Sequence, residues 1–287
     1  MSSHEKSKEK ELIPVILCAG EGTRYGKLTQ NLPKPLIQLK LLNNESILSY
    51  LIKNLLSLHL KKVVIITGYL NEKIEFSVNL MKKDSNNKGK LVLIHSGKQY
   101  KKGPLFSLLS IVQNKEIYAK NNIFIIFPGD TIFEIQLLKE VFDFIYKRIT
   151  VFTKPCIFFQ EIYHLNDYLK IDKSNPKLVS IIESEDSKSG RIVKEIKKID
   201  LNLISKGSLI NLAVPILVFN FKFIKILHKL SESNPVGEIR ETLNIYLKQN
   251  QRIISKKLNS KYKFYDIDTS EDLNYFNQIK KKEKGGQ

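Results

Sequence analysis

The sequence predicts an α/β protein built on a mixed, mostly parallel central sheet with helices on both faces. In the first half of the chain, short apolar segments alternate with longer segments whose apolar residues recur at helical spacing. The apolar segments lack polar alternation, as in I-F-I-I-F (residues 123–127), and such strands are typical of a sheet covered on both sides. At 287 residues the chain is long enough for a substantial core. These features together predict three layers, helix–sheet–helix.

Strands alternating with helices account for the first half. The predicted strands cover residues 15–18, 62–67, 91–95 and 123–127, and the predicted helices cover residues 46–60, 71–81, 104–118 and 134–147. The first of these helices is predicted from apolar residues at helical spacing, namely Ile47, Leu48, Leu51, Leu55 and Leu58. Pro104 suits the first turn of the third helix, where its missing N–H has no partner to lose. Ligands of such sheets bind at the carboxyl ends of the strands.

The pattern changes after Thr150. Strands are predicted over residues 151–159, 179–183, 191–196, 209–220 and 252–258, and helices over residues 237–249 and 272–280. Residues 184–190, rich in Ser, Asp and Gly, predict a hairpin turn. Thr269 and Asp272 resemble a capping box that starts the closing helix. Because no linker or repeat is evident, we expect one domain over residues 1–287. Its halves, residues 12–150 and 151–280, would share a sheet, with residues 1–11 and 281–287 as flexible tails.

The composition excludes several classes of protein. Hydrophobic residues make up 42% and charged residues 26% of the chain, as in soluble globular proteins. No apolar run reaches the length of a membrane span, and residues 1–11 are too charged for a signal peptide. The two cysteines, Cys18 and Cys156, lack C-x-x-C spacing, which argues against a disulfide scaffold or a zinc site. We therefore expect a cytoplasmic protein in which Cys18 is a small core residue.

The formal net charge of +18 is the most unusual feature of the composition. Such a balance can accompany binding of nucleic acids or anionic membranes. Here the lysines are scattered through predicted helices and loops and form no long block with interleaved aromatic residues. The charge predicts a positive field that attracts nucleotides, and a dedicated nucleic-acid site is the less favoured interpretation.

The segment V-I-L-C-A-G-E-G-T-R-Y-G-K-L-T-Q-N-L-P-K-P-L-I (residues 15–37) carries the clearest functional signal. A buried strand opens into a loop that contains Gly20, Gly22, Thr23 and Arg24, and Lys34 follows between two prolines. Glycines let backbone N–H groups approach a phosphate, and the guanidinium and ammonium groups add charged donors. The pattern is neither a Walker loop nor the G-x-G-x-x-G dinucleotide fingerprint. It predicts a phosphate site of another kind, with an ordinary strand-to-helix turn as the alternative.

Acidic residues suited to a metal ion lie far along the chain. Bound phosphate groups are often neutralised by a divalent cation, and Mg²⁺ is usually held by one or two carboxylates. Asp130 follows strand 123–127 through P-G-D, at the expected edge of the sheet, although an Asp there also suits a helix cap. Asp266 and Asp268 share one strand face by alternation. Because Asp268 adjoins the Thr269 cap, Asp266 is chosen as the second Mg²⁺ ligand.

Several motifs together resemble the nucleotidyltransferase family that includes the sugar-phosphate nucleotidyltransferases, or pyrophosphorylases. G-E-G-T-R followed by P-K-P is similar to the family's G-x-G-T-R and P-K-P, and P-G-D to its strand-end Gly-Asp. Y-D-I-D-T-S-E-D-L is similar to its late D-x-D/G-T-x-E-D-L segment, and G-E-I-R-E-T-L-N to the helix before it. The resemblance covers nearly the whole chain. It implies a glycosyltransferase-A-like variant of the Rossmann fold, with a nucleotide-binding front half and an acceptor-binding back half.

The resemblance also implies roles for the matching residues. Asp130 and Asp266 would ligate Mg²⁺. As catalytic residues, Arg24 would grip the β- and γ-phosphates, and Lys34 would bridge the α-phosphate and the acceptor phosphate. The nucleotide-binding residues would be Leu17, Ala19, Gly20, Gly22, Thr23, Arg24 and Gly103, of which Leu17, Ala19, Gly20 and Gly103 would approach the base. An ionised acceptor phosphate would attack the α-phosphorus and release pyrophosphate without a catalytic base.

Departures from the family pattern leave the base and the acceptor open. K-K-G-P-L-F-S-L (residues 101–108) and I-I-T-G-Y-L-N-E-K look closer to cytidylyltransferases that act on choline phosphate or inositol phosphate. The usual E-K-P of the back half is replaced by E-I-K-K-I-D (residues 195–200). Lys194 and Lys197 are the candidates for contacts with the acceptor phosphate, with a solvated surface position as the alternative.

The expected partners are an NTP and a small phosphorylated acceptor. The sequence leaves open whether the protein forms a homo-oligomer. Two alternatives come from other classes. A glycosyltransferase on the same fold would consume a nucleotide sugar, but the intact G-T-R and P-K-P motifs argue against it. A catalytically silent relative would resemble the transferase-like subunits of translation initiation exchange factors, which typically carry extra C-terminal domains.

Overall fold

The computed structural model describes residues 10–163, 177–187, 190–204 and 207–285. In this part of the chain the strands are β1 (Glu11–Cys18), β2 (Gln38–Leu39), β3 (Glu45–Ser46), β4 (Val63–Thr67), β5 (Leu91–His95), β6 (Asn122–Pro128), β7 (Thr131–Phe133), β8 (Cys156–Ile162), β9 (Leu178–Ser187), β10 (Gly190–Asp200), β11 (Ile210–Asn220), β12 (Ile254–Lys257) and β13 (Phe264–Asp266). The helices are α1 (Ile47–Ser57), α2 (Asn71–Lys82), α3 (Pro104–Leu109), α4 (Ile135–Tyr146), α5 (Phe221–Ser233), α6 (Ile239–Lys248) and α7 (Ser270–Gly285).

One mixed sheet runs through both halves of the chain. Its strand order is β5-β4-β1-β6-β11-β8-β12-β10-β9. The first four strands are parallel, whereas β11 is antiparallel to both β6 and β8, and β10 is antiparallel to β12 and β9. In the second half the parallel pair is β8 with β12. The α/β class and the mixed central sheet predicted from the sequence are confirmed.

The central strands are apolar on both faces because each face packs against its own helical layer. Successive side chains of a strand point to opposite faces. Ile16 and Phe127 join a cluster with residues of α1, α2 and α4. Val15 and Ile126 join the opposite cluster, with residues of α3, α5 and α6. The helix–sheet–helix arrangement follows from this division of the core.

A smaller apolar cluster sits at the carboxyl edge of the sheet and supports the site. The two-stranded pair β7–β13 packs there with α7 and with the segment that follows the glycine-rich loop. Its buried members include Tyr25, Ile37, Ile132, Tyr265 and Phe276. This cluster brings residues near position 266 beside the loop after β1, although the two are far apart in sequence.

Several elements differ from the predictions. The helix expected over residues 104–118 ends at Leu109 and continues as a 3₁₀ helix, Ser110–Gln113, because the Asn114 side chain then accepts the N–H groups of Glu116 and Ile117. The strand expected from residue 151 begins at Cys156, directly after Pro155, which cannot donate to the ladder. Helix α5 and strand β7 were not predicted from the sequence, and the strand assumed for Asp266 and Asp268 is present as β13 but ends at Asp266.

Other predictions agree with the structure. Thr269 and Asp272 form the predicted capping box, since the N–H of each residue donates to the side chain of the other, at 2.9 and 3.3 Å. Helix α7 continues past Lys280 to Gly285. Cys18 and Cys156 are buried and free. Residues 1–9, 164–176, 188–189, 205–206 and 286–287, which include part of the predicted hairpin turn and of both expected tails, lie outside the described residues.

Within the described ranges, every helix is too short or too polar to cross a lipid bilayer.

Candidate active site

A cleft of about 590 Å³ opens at the carboxyl ends of β1 and β6. Its lining includes every residue expected to contact nucleotide or metal: Leu17, Ala19, Gly20, Gly22, Thr23, Arg24, Lys34, Gly103, Asp130 and Asp266. These residues come from five separate stretches of the chain, and the fold brings them together at one edge of the sheet. In an open α/β sheet this is the edge where ligands bind.

The loop after β1 is shaped by Gly22. Its φ of 66° places it in the left-handed region, which favours glycine, and it precedes the 3₁₀ segment Thr23–Gln30. A Cβ on Gly22 would lie 2.8 Å from Cγ of Lys34. The hydroxyl of Thr29 closes the loop by donating to the backbone oxygens of Gly22 and Gly26, at 3.0 and 2.9 Å. Glycine is therefore needed here both for the turn and for the passage of the lysine side chain.

Lys34 occupies the centre of the cleft floor. The residue is only 5% exposed, and its Nζ lies 3.2 Å from Oδ2 of Asp130 and 2.9 Å from Oδ1 of Asp268. Burial by itself would lower the pKa of this ammonium group, but the two carboxylates outweigh burial and raise the pKa above its ordinary value. Lys34 is thus a fixed positive charge between acidic side chains.

Three carboxylates converge beside this lysine. Oxygen atoms of Asp130, Asp266 and Asp268 all lie within 4.8 Å of one another. Asp266 is opposite Thr131 in the β7–β13 pair, and the Thr131 hydroxyl donates to its Oδ1 at 3.1 Å. Burial, followed by the charges of Asp130 and Asp268, raises the pKa of Asp266 to about 7. A hard divalent cation with oxygen ligands would relieve this repulsion, so the three side chains fit Mg²⁺.

Asp268 is the site residue that sequence reasoning missed. It was set aside as a helix-cap residue, but the capping is done by Asp272, whose Oδ2 accepts the N–H groups of Asp268 and Thr269 at 3.0 and 2.9 Å. The Asp268 carboxylate is therefore free to face the cleft, where it accepts from Arg24 and Lys34. The two-residue spacing from Asp266 was the signal that both side chains share one face.

Two further cations flank the carboxylates. Nη1 of Arg24 lies 2.7 Å from Oδ2 of Asp268, and the arginine side chain is 66% exposed, so most of its donors face the open cleft. Lys177, just before β9, pairs with Asp272 and donates to the backbone oxygen of Asp266 at 3.4 Å. No motif in the sequence marks Lys177.

The loop that carries Gly103 packs directly on the segment before α6. Gly103 has a φ of 114°, and a Cβ on it would lie 2.7 Å from Cα of Gly237. The N–H of Leu105 donates to the oxygen of Gly237 at 2.9 Å. Tyr100 and Ser107 line the cleft on either side of Gly103. Contact between two backbones therefore positions this wall of the cleft.

The prediction that Lys194 and Lys197 contact an acceptor is not supported by their positions. Side chains alternate along β10, so Lys197 projects from the face opposite Lys198, and Lys194 lies at a bulge that interrupts the alternation. Lys194 pairs with Glu185 and Lys197 with Glu183, and neither lines the cleft. Lys198, the next residue along, lines it instead.

The fold and this site define a class of protein. The family model described as nucleotidyl transferase matches residues 13–157, which include the glycine-rich loop, P-K-P and Asp130. The chain belongs to this family.

Individual relatives are similar over shorter stretches. The bifunctional protein GlmU of Methanococcus vannielii is 31% identical over 135 residues, 44% of this chain and 26% of that protein. The choline-phosphate cytidylyltransferase of Streptococcus pneumoniae is 37% identical over 62 residues, 22% of this chain and 26% of that protein. The chain thus matches about a quarter of the length of these curated relatives.

Solved structures share the fold over almost the full chain. A UDP-glucose pyrophosphorylase complexed with UDP-glucose superposes with a TM-score of 0.67 and 17% identity, covering 95% of this chain and 99% of that one. The CTP:phosphocholine cytidylyltransferase LicC from Streptococcus pneumoniae gives a TM-score of 0.63 and 17% identity, covering 94% and 99%. The Rossmann-like nucleotidyltransferase fold expected from the sequence is confirmed.

Proposed function

We propose that the protein is a Mg²⁺-dependent nucleotidyltransferase. It would join the NMP part of an NTP to a phosphorylated sugar or sugar-like alcohol and release pyrophosphate. The observation that carries this proposal is the meeting of Lys34 and Arg24 with three carboxylates at the carboxyl edge of the sheet. Family membership supports the reaction class.

Asp130, Asp266 and Asp268 are the residues that would hold the metal ion. All three offer carboxylate oxygens within 4.8 Å of one another, a donor set suited to a hard cation. The ion would supply neutralisation of triphosphate charge. The ion would also stabilise the charged form of Asp266, whose pKa is raised by burial and by the charges of Asp130 and Asp268.

The reaction follows from the placement of the two catalytic cations. An oxygen of the acceptor phosphate attacks the α-phosphorus and forms a new P–O bond, while the bond between the α-phosphorus and the bridging oxygen breaks. Pyrophosphate leaves with that electron pair. Arg24, largely exposed beside the metal site, would bind the leaving β- and γ-phosphates, and Lys34 would balance charge between the two reacting phosphates. The attacking phosphate is already ionised, so no proton needs to be removed.

The nucleoside would lie between the loop after β1 and the loop that carries Gly103. Leu17, Ala19, Gly20, Gly22 and Thr23 line one side, and Gly103 lines the other. Glycines at these points let backbone donors and acceptors reach the base edge without side chains in the way. The candidate donors are CTP, UTP, dTTP, GTP and ATP.

Choline phosphate is the second candidate acceptor. The observation in its favour is the 37% identity to a choline-phosphate cytidylyltransferase over 62 residues. If this candidate is correct, CTP should be the preferred donor and choline phosphate the preferred acceptor.

A two-step experiment tests the proposal. Thermal-shift measurements with ATP, CTP, GTP, UTP and dTTP, each with Mg²⁺, would identify the donor, because a ligand at 100 times its Kd stabilises the native state by about 2.7 kcal/mol. Pyrophosphate release is then assayed over a panel of phosphorylated acceptors. Stabilisation by one NTP together with acceptor-dependent pyrophosphate release is the expected result. Absence of stabilisation by any of the five would favour a catalytically silent relative.

A further inference from the structure

The acceptor end of the cleft carries two cations that the proposed chemistry does not use. Lys198 on β10 and Arg240 on α6 both line this end, together with Ser180 and Pro215. The Asn244 side chain ties the helix to the strand by donating to the oxygen of Ile196 at 2.9 Å and accepting its N–H at 3.0 Å. Arg240 is one helical turn before Asn244, and Lys198 is two residues after Ile196, so each shares a face with its tethered neighbour.

These cations lie on elements other than those that carry the three carboxylates. Lys177, which donates to the backbone of Asp266, lies three residues before Ser180, and Ser180 is directly opposite Lys198 in the β9–β10 pair. Three residues of extended chain span about 10 Å. The backbone of Lys198 is therefore offset along the sheet from that of Lys177. We place Lys198 and Arg240 beside the part of the acceptor that extends away from its phosphate.

Lys198 is a cation without an acidic partner among the described residues of this end. Among the described residues, Lys198 forms no ion pair. Arg240 pairs with its chain neighbour Glu241 at 3.3 Å, and the Glu241 side chain is 47% exposed. An exposed pair of this kind contributes little stability. In the described part of the chain, Glu238 is the acidic residue that lines this wall, and it forms an ion pair with neither Lys198 nor Arg240.

The same wall is a poor match for a quaternary ammonium group. Such groups are recognised by cages of aromatic rings. In the described ranges, the aromatic residues that line the cleft are Tyr100, beside the Gly103 loop, and Phe264 of β13. Two rings from separate walls do not form a cage around a choline headgroup.

We propose that the acceptor carries a second anionic group, a carboxylate or a further phosphate, and that Lys198 and Arg240 bind it. This inference rests on the proposed nucleotidyltransferase function and specifies its substrate class. Arg240 offers a planar fork of donors that matches either anion, and Lys198 adds a mobile point charge.

Matched acceptors test the inference in the 287-residue chain. Glucose 1-phosphate is compared with glucuronic acid 1-phosphate and with glucose 1,6-bisphosphate, using the NTP identified by thermal shift. We expect kcat/KM for at least one of the two anionic acceptors to exceed that for glucose 1-phosphate at least tenfold. Lys198→Gln and Arg240→Gln should each remove most of that preference through the acceptor KM, with the NTP KM unchanged. Lys197→Gln, the adjacent lysine on the opposite strand face, should leave the preference intact.

Each contrary outcome has a distinct meaning. Equal or better use of glucose 1-phosphate or choline phosphate would overturn the second-anion inference while leaving the nucleotidyltransferase proposal standing. The inference is overturned in the same way if Lys198→Gln and Arg240→Gln lower kcat/KM equally for neutral and anionic acceptors. If no acceptor yields pyrophosphate with any NTP, the proposed function itself fails and this inference fails with it.

Discussion

Lys34 is a buried cation whose charge is balanced by neighbouring carboxylates. A lysine that is almost fully buried is unfavourable unless carboxylates surround it, and removing one partner leaves an uncompensated charge. Here Asp130 and Asp268 both contact its Nζ, while Asp266 adds a third acidic group nearby. The cluster is one negative charge in excess when Arg24 is counted with Lys34 and all three carboxylates are ionised. A divalent cation and a triphosphate would together complete this arrangement.

Replacement of Asp130 by alanine tests the metal-holding role. Because Asp130 is one of three converging carboxylates, we expect Asp130→Ala to lower pyrophosphate release by about 10²–10³-fold or more, while the fold persists. Initial rates at saturating Mg²⁺ and circular dichroism would measure the two effects. Asp186→Ala, which removes an 86% exposed carboxylate that pairs only with Arg191 among the described residues, is the matched control. Near-normal turnover of Asp130→Ala would remove Asp130 from the site.

Asp268 makes a separate prediction because it contacts both cations. Asp268→Asn removes a carboxylate charge from the cluster and weakens the hold on Arg24 and Lys34. We expect the Mg²⁺ concentration for half-maximal rate to rise at least about tenfold, because substitutions around a metal site usually lower metal affinity by that factor or more. A Mg²⁺ titration of the pyrophosphate assay measures it. An unchanged Mg²⁺ requirement would mean that Asp268 only positions the two cations.

The site residues differ in how far the sequence could place them. Arg24, Lys34 and Asp130 were predictable because each adjoins a glycine or proline signature at a strand end. Asp268 was misread because a capping residue and a ligand look alike in sequence, and only the Asp272 hydrogen bonds separate the two roles. The sequence could not place Lys194 and Lys197 relative to the cleft, because a one-residue step along a strand reverses the face and the bulge beside Lys194 cannot be read from the chain.

At the scale of elements, the contact between the Gly103 loop and α6 links the two halves of the cleft. Gly103 and Gly237 approach so closely that a Cβ on either would collide with the other's backbone or with Lys102. The Gly103 loop, on the nucleotide side of the cleft, and the segment before α6, on the acceptor side, therefore meet through backbone atoms. A displacement of the Gly103 loop would therefore also displace the segment before α6.

Gly103→Ala tests this junction. The added methyl group would meet Gly237 at 2.7 Å, at a φ of 114° that alanine disfavours. We expect a loss of about 1–3 kcal/mol in the free energy of unfolding and a raised KM for the NTP. Urea unfolding and steady-state kinetics measure the two effects. Gly89→Ala is the control, since Gly89 has a φ of 76° but no atom within 4 Å of the added Cβ, so it reports backbone strain alone. Equal effects of the two substitutions would show that the close approach is unimportant.

At the scale of the whole molecule, the central sheet is continuous across the boundary between the two halves of the chain. Strand β11 from the second half pairs with β6 from the first, and the helical layer of α3, α5 and α6 draws on both halves. The alternation of strands and helices made the first half predictable. The second half was harder because antiparallel strands and bulges depend on partners distant in sequence, and α5 follows β11 with no loop between them to mark its start.

We propose from this continuity that residues 1–287 form a single cooperative domain. Thermal unfolding followed by circular dichroism and by calorimetry should show one transition, with equal calorimetric and van't Hoff enthalpies. A fragment ending at residue 150 should not fold, because it would leave β6 without β11 and would expose the core shared with α5 and α6. Two separable transitions would contradict the single-domain proposal.

The most direct measurement is the release of pyrophosphate from the NTP that stabilises the protein, with and without a phosphorylated acceptor and with and without Mg²⁺. We predict pyrophosphate only when NTP, acceptor and Mg²⁺ are all present, and its loss when EDTA removes the metal. Formation of a nucleoside diphosphate from a nucleotide sugar, with no pyrophosphate from any NTP, would contradict the proposed function and indicate a glycosyltransferase.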